Sequence, residues 1–592
     1  MFRLFRTGRR HGAFLYPGAE IGAPAGGRHG ASERVSIEGQ AKAAVEVGRQ
    51  RLAVTAGVFA LAFCVIGARL VDLMALNGGA EAARFAAGRD AVAAPVVQRA
   101  DIVDRNGVIL ATNLPTTNLY ANATRVIDPA ETARRLIEVL PGLSFEETLR
   151  KLSSGKTFVY LHRNLTPYEK NLVNRLGLPG LEFQAAERRV YPHGRLASHV
   201  LGATNIDNAG IAGIERTFDS RLDSGTAPVR LSLDIRVQHA VHAVLSQAIA
   251  RFRAIAGVGV VADARTGEIL AMVSLPDYEP RAYGRAEADA RFNRATLGVY
   301  EMGSTFKLMN TAMGLEVGGY RLSDGFDASQ PLHMAGFTIR DYHAQNRWLS
   351  IPEILVHSSN IGSARLALSV GGEAQKAFLS RLGLLSPLAI ELPEVGDPLY
   401  PNPWRPINTV TISYGHGIAV TPVHLVKAVS ALVNGGIVRP ATLLRREPDD
   451  VPAGRPAVSA ATSAAMRDLM RLVVTDGTGR QADVPGYRVG GKTGTAEKVV
   501  GRGYGNTVLM PSFVAAFPID DPRYVVLVTL DEPKGIPETH NFATAGWNAA
   551  PTAGAIIERV APLLGVMPTR DVILTRDRVR LAAAEGAARA TE

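Results

Sequence analysis

The sequence predicts an α+β protein with a single N-terminal transmembrane helix, a mixed α/β region, and a larger domain in which one sheet is flanked by helices and carries a helical subdomain. Three observations predict it. Leu52 to Ala68 ("LAVTAGVFALAFCVIGA") carries no charge and is followed by the mostly apolar "RLVDLMAL". Residues 77–228 mix strand-like alternation with short helical patterns and glycine punctuation. Beyond them, strand patterns at both ends of the segment bracket a mostly helical middle at 300–480, so one sheet must draw its strands from distant parts of the chain.

The elements follow in chain order. Residues 1–50 are rich in Gly, Ala and Arg with no sustained period, and are expected to form a mostly disordered cytoplasmic tail. Residues 51–76 are the expected transmembrane helix, since about 20 residues at 1.5 Å rise cross a hydrocarbon core. Basic residues outnumber acidic ones before it, Arg49 and Arg51 immediately so, which places the N-terminus in the cytoplasm and the rest outside. A cleaved signal peptide is the rival reading, because Ala80-Glu81-Ala82 fits an A-x-A pattern. That site stands far beyond the apolar run, after a long leader, so an uncleaved anchor is expected. Cys64 is the single cysteine, which excludes an intrachain disulfide and cysteine-type zinc sites. The net charge of +10 suits an anionic surface, and equally an ordinary basic protein.

In 77–228, "ADIVDRNGVILATN" reads as a strand pair around Asp104-Arg105-Asn106-Gly107, with Asn-Gly as the hairpin signal. "PAETARRLIEVLPG" and "TPYEKNLVNRLGLPG" read as helices ending in glycine. His193 and His199 lack a metal-ligand companion and are expected to be surface or core histidines. In 229–567, "VRLSLDIRVQHAVHAVLSQAIARF" leads from a strand into a long amphipathic helix, and "GVGVVADARTGEILAMVSLP" gives two strands joined at Thr266-Gly267. "RVGGKTGTAEK", "SFVAAFPI" and "RYVVLVTL" give three more, followed by the helix "TAGAIIERVAPLL". Residues 568–592 read as a charged, Ala-rich tail.

Chemistry concentrates in "YEMGSTFKLMN", where Lys307 stands three residues after Ser304. Ser304 has the residue type of a helix N-cap. A cap motif, however, favours an acidic or amide residue at the third position, and a lysine there opposes the helix dipole. Residues i and i+3 share a face, and burial together with the dipole drives a lysine toward its neutral, basic form. Lys307 is then placed to take the proton from Ser304, whose hydroxyl is too weak a nucleophile unaided.

"HSSN" supplies Ser358 and Asn360, and "GGKTGTAEK" supplies Lys492-Thr493-Gly494-Thr495. S-x-x-K, S-x-N and K-T-G in this order resemble the signature set of active-site serine enzymes that react with β-lactams. Each residue then has a chemical task. Ser358 relays a proton between Lys307 and a leaving amine. Asn360 holds Lys307 and the substrate amide. Lys492 supplies a fixed positive charge that keeps Lys307 neutral and attracts a substrate carboxylate. Thr493 and Thr495 offer hydroxyls to that carboxylate, and Gly494 leaves the edge strand open to substrate. The backbone N–H groups of Ser304 and Thr495 form an oxyanion hole.

Over residues 90–565 the chain resembles a class B penicillin-binding protein, a peptidoglycan D,D-transpeptidase. "RADIVDRNGVILA", "RRVYPHGRLASHVLG" and "GIAGIE" resemble the motifs of that family's non-catalytic pedestal. "LSLDIRVQ", "SYGHGIAVTP" and the "GTG" at Gly477–Gly479 resemble its transpeptidase domain. "YEMGSTFK" and "IELPEVG" resemble the septal, FtsI-type branch. Two positions depart from the family pattern: Met302 stands where proline is usual, and His416 where glutamine is common.

The resemblance implies an elongated pedestal (77–228) and a β-lactamase-like transpeptidase domain (229–567). It implies acyl transfer through Ser304 with neither metal nor organic cofactor, β-lactams as acylating agents, and no nucleic-acid role. It implies residence at the division septum in the bacterial inner membrane, catalytic domain in the periplasm, among divisome proteins that include a polytopic glycosyltransferase. The competing readings are an elongation-specific transpeptidase, a D,D-carboxypeptidase or β-lactamase using the same triplet, and a non-catalytic divisome scaffold or β-lactam sensor. The large pedestal argues against the hydrolases, and the complete triplet against a dead scaffold.

Overall fold

The computed structural model describes residues 40–72, 98–225, 227–500 and 503–569. Residues 1–39 of the expected tail, residues 73–76 of the expected transmembrane helix, residues 77–97, and residues 570–592 of the expected C-terminal tail lie outside the described residues.

Helix α1 runs from Gln40 to Val71. It starts before the expected boundary at residue 51, so residues 40–50, read as disordered, are helical. The cause is local: "QAKAAVEVGRQ" is built mostly of good helix formers. Its apolar part, Val47–Val71, is 25 residues long, and among the described residues this is the one helix long and apolar enough to cross a membrane. At 1.5 Å per residue it reaches about 37 Å, against about 30 Å of hydrocarbon.

The region from Ile102 opens with β1 (Ile102–Val103) and β2 (Ile109–Ala121), paired antiparallel as Ile102↔Ala111 and Val103↔Ile109. The predicted turn between them is held by Asp104, whose Oδ1 accepts from the N–H groups of Asn106 (2.7 Å) and Val108 (2.9 Å). Helix α2 (Pro129–Val139) is capped by Asp128, α3 spans Phe145–Leu152, and β3 spans Val159–Leu165. Helix α4 (Pro167–Arg175) starts with a capping box between Thr166 and Glu169. β4 (Leu181–Val190) pairs with β2 along its whole length. β5 (Val229–Arg230) closes the sheet parallel to β1. Leu119, Leu136, Leu152, Leu165 and Val173 form the core between this sheet and the helices.

Three motifs noted separately in the sequence converge on one buried ion network. Arg99 comes from "RADIVDRNG", Arg189 from "RRVYPHG" and Glu215 from "GIAGIE". Arg99 donates to Glu215 Oε2 through Nε (3.0 Å) and Nη2 (2.8 Å), and Arg189 Nε donates to Glu215 Oε1 (2.6 Å). Arg99 also pairs with Asp219 at 2.8 Å. Glu215 is fully buried, and its carboxyl group is enclosed by the two guanidinium groups.

The larger domain begins with α5 (Ile235–Phe252), capped by Asp234, then β6 (Ala256–Asp263) and β7 (Ile269–Leu275). A one-turn 3₁₀ segment (Gly303–Phe306) leads into α6 (Lys307–Glu316). Then follow α7 (Ile351–Val356), α8 (Asn360–Val370), α9 (Pro422–Val433) and α10 (Ala460–Thr475). The chain returns to the sheet with β8 (Gly490–Val500), β9 (Gly503–Phe517) and β10 (Tyr524–Asp531), and ends in α11 (Ala549–Leu563).

The sheet order is β8-β9-β10-β6-β7, antiparallel throughout. Its edges thus come from opposite ends of the domain, as the bracketing pattern requires. The strand period of two sorts side chains between two cores. Val525 and Leu527 of β10 face a cluster with α6, α9 and α10, whereas Val526 and Val528 face one with α5 and α11. The sheet is therefore covered on both faces, and β8 is the edge left beside the 3₁₀ turn that holds Ser304.

Candidate active site

Ser304 sits inside the 3₁₀ turn and does not cap it; Met302 occupies the cap position, and α6 proper begins at Lys307. The capping role weighed for Ser304 is therefore not what the residue does. A 3₁₀ segment has about three residues per turn, so side chains at i and i+3 eclipse each other. That alignment puts Lys307 Nζ 2.9 Å from Ser304 Oγ. The turn starts at Gly303 with φ +53°, a left-handed conformation in which a Cβ would also lie 2.8 Å from the carbonyl oxygen of Thr495.

Lys307 Nζ also lies 2.7 Å from Ser358 O, 3.2 Å from Ser358 Oγ and 2.7 Å from Asn360 Oδ1. The two carbonyl oxygens can only accept. A neutral amine has two N–H donors and one lone pair, so both donors are taken by those carbonyls. The lone pair then remains for the hydroxyls, and Ser304 Oγ–H can donate to it. Lys307 is fully buried, and burial drives its pKa well below 10.5; repulsion by Lys492 adds to this, and the nearby Asp341 charge partly offsets it.

Ser358 follows α7 with φ +57°, an uncommon conformation for a residue with a side chain. It turns both its carbonyl and its hydroxyl toward Lys307. Its Oγ is also 3.1 Å from Lys492 Nζ, so one hydroxyl lies between two lysines. Asn360 is the first residue of α8; its Nδ2 donates to Arg340 O (3.0 Å) while its Oδ1 holds Lys307. The expected hold on Lys307 is the contact present, and one N–H of the Asn360 amide remains beyond its bond to Arg340 O.

Lys492 is buried on β8, with Nζ 3.0 Å from Thr493 O and 3.3 Å from Thr493 Oγ1. None of its hydrogen-bond partners is a carboxylate. Burial lowers its pKa to about 7. Thr493 Oγ1 is 2.6 Å from Thr478 Oγ1. Thr495 Oγ1 accepts from Ala545 N–H (3.1 Å), which leaves its proton to donate.

Gly494 differs from expectation in its reason. A Cβ there would lie 2.4 Å from Met302 O, 2.8 Å from Ser512 Oγ and 2.8 Å from Thr305 Cγ2. Glycine is needed so that β8 can press against the serine turn, a packing demand that precedes any question of substrate access. Met302 is buried in the core with φ −97°, away from the roughly −65° that proline imposes.

Sequence reasoning missed the groups that brace the site. Asp341 accepts from Ser359 Oγ (2.7 Å) and from Ile361 N–H (2.9 Å), fixing the start of α8. Glu301 Oε1 accepts from Gly417 N–H (2.8 Å), and its Oε2 lies 3.3 Å from His416 Nδ1. Burial lowers the His416 pKa below 6.5. Thr478 belongs to the "GTG" noted in the sequence without a role. His199 is buried against Ala290 O (2.8 Å), and burial lowers its pKa to about 4, which fits a core histidine.

Comparison with known proteins agrees with this geometry. The penicillin binding protein transpeptidase domain matches residues 257–558, and the penicillin-binding protein dimerisation domain matches residues 95–231. The chain is 40% identical over 552 residues to a probable peptidoglycan D,D-transpeptidase FtsI of Caulobacter vibrioides, covering 91% of this chain and 92% of that one. It is 29% identical to the peptidoglycan D,D-transpeptidase FtsI of Escherichia coli, covering 81% and 86% of the two chains. The solved structure of a peptidoglycan synthetase from Bifidobacterium adolescentis superposes with a TM-score of 0.64 at 24% identity, over 81% of this chain and 97% of that one, a likeness of fold. With its serine, two buried lysines and pedestal in place, the chain belongs to the class B penicillin-binding proteins, in their FtsI branch.

Proposed function

We propose that the protein is a peptidoglycan D,D-transpeptidase that cross-links stem peptides during septal wall synthesis. The observation that carries this reading is the Lys307 amine, buried and held by two carbonyls with its remaining valence directed at Ser304 Oγ. Ser304 Oγ attacks the carbonyl between the two terminal D-alanines, and its proton passes to Lys307 Nζ. Backbone N–H groups of Ser304 and Thr495 stabilise the oxyanion. Collapse expels D-alanine, whose amine takes a proton through Ser358, and leaves an ester on Ser304. An amine of a neighbouring stem attacks that ester, and the same groups act in reverse. Lys492, Thr493 and Thr495 receive the terminal carboxylate. A β-lactam presents a strained version of the same amide and acylates the same oxygen.

Helix Val47–Val71 supports a single-pass anchor with the N-terminus cytoplasmic and the catalytic domain periplasmic. The identity to FtsI proteins supports placement with septal partners, including a polytopic glycosyltransferase. Labelling the full chain in membranes with a fluorescent penicillin, followed by peptide mapping, tests the site. An adduct on Ser304 is expected, and an adduct on any other residue overturns the assignment.

A further inference from the structure

Away from the serine, the outer faces of α5 and α11 meet the pedestal turn that carries His193 and Leu196 and form an open groove of about 560 Å³. That is the size of a site for several side chains. Its floor is apolar: Leu196 from the pedestal, Ile235, Ala240 and Ala243 from α5, and Leu563 from α11. The alanines keep the floor low, so the helices pack beneath it while a channel stays open above.

Its rim is basic. His193, Arg236, His239 and Arg559 line it, and no carboxylate does. Arg236 is committed to Asp234 through contacts of 2.9 and 2.6 Å. The side chains of Arg559, His239 and His193 have no hydrogen-bond or ion-pair partner among the described residues, and Arg559 and His239 are exposed. The mechanism uses none of these residues.

We propose that this groove docks an acidic amphipathic helix of a partner protein. A trough between two helix faces accepts a third helix, whose apolar residues one turn apart enter the floor. Charge complementarity selects the partner: a carboxylate beside the apolar stripe meets the Arg559 guanidinium, and further carboxylates accept from the ring N–H groups of His193 and His239, which also orients the helix along the trough. Because the groove contacts both the pedestal, at His193 and Leu196, and the helices α5 and α11 behind the larger sheet, its occupant bridges the two regions.

The test uses the full chain in detergent and a fluorescein-labelled 16-residue peptide with leucines at i, i+4 and i+7 flanked by glutamates. A matched peptide has lysines in place of the glutamates. Saturable binding of the acidic peptide, at least tenfold tighter than the lysine peptide and weakening with salt, is expected. Arg559→Glu on the exposed rim and Ala243→Glu in the floor should each weaken it at least tenfold, while penicillin labelling of Ser304 stays unchanged as the measure of folding. Equal affinity for both peptides, or binding insensitive to Arg559→Glu, overturns the proposal. So does concentration-dependent dimerisation abolished by Ala243→Glu, which would assign the groove to a second copy. Arg559-dependent binding to phosphatidylglycerol vesicles without peptide selectivity likewise overturns it, in favour of a lipid surface.

Discussion

Two buried charge clusters in this molecule are built on opposite logic. In the pedestal, Glu215 is enclosed by Arg99 and Arg189, so its charge is matched where it is buried. At the catalytic serine, Lys307 and Lys492 share the hydroxyl of Ser358, and neither has a carboxylate among its hydrogen-bond partners. Matched charges keep their ionised forms and tie distant segments together, here 116 residues apart between Arg99 and Glu215. Burial lowers the proton affinity of both amines, and the Lys492 charge lowers that of Lys307 further, which makes Lys307 the base of the proposed reaction at a cost in stability. The first cluster stabilises the fold, and the second is the one to which the proposed function assigns the chemistry.

The sharpest way to break the contrast is to empty each cluster. Lys307→Met is expected to reduce the rate of acylation by a β-lactam by about 10³-fold or more, since it removes the base from the nucleophile. Stopped-flow acylation checks it. Glu215→Ala strands two buried guanidinium groups, and about 3–5 kcal/mol of stability should be lost, read from chemical denaturation.

Lys492→Met should act the other way. Its folded pKa of about 7 lies below 10.5, so between those values the unfolded chain binds more protons and stability falls as pH is lowered. Removing the amine lifts that penalty. The variant should gain about 1–3 kcal/mol at pH 7 and lose activity, as expected where function opposes stability.

The smallest effect is a displacement of pH dependence. The Asp341 charge raises the Lys307 pKa, and the Lys492 charge lowers it. Asp341→Asn should therefore move the acidic limb of the acylation profile to lower pH, and Lys492→Met should move it to higher pH. Loosened packing alone would not shift the two variants in opposite directions.

Much of this was readable in the chain because it is local. Ser304 and Lys307 lie one turn apart, and β6 and β10 of the larger sheet announce themselves by valine-rich runs. Three pedestal motifs were visible one by one, yet nothing in their spacing indicates that Arg99, Arg189 and Glu215 meet. Asp341 was missed for the same reason: a lone acidic residue carries no period and no motif, and its value comes from the N–H groups folded around it. Glu301 stands inside "YEMGSTFK", but nothing in that stretch indicates that it accepts from the distant Gly417 N–H. The reason for Gly494 also needed three dimensions, because the atoms that exclude a Cβ belong to Met302, Thr305 and Ser512. The early start of α1 is a case of propensity overriding a polar composition.

The central claim is that Ser304 is activated by a neutral Lys307, and the pH profile of Ser304 acylation tests it most directly. The second-order rate constant for a β-lactam should rise with pH to a plateau, with its acidic limb well below 10.5, and Lys307→Arg, which stays protonated, should abolish the plateau. A limb near 10.5, or a rate that falls as pH rises through the neutral range, would show that Lys307 is charged in the working enzyme and would contradict the account.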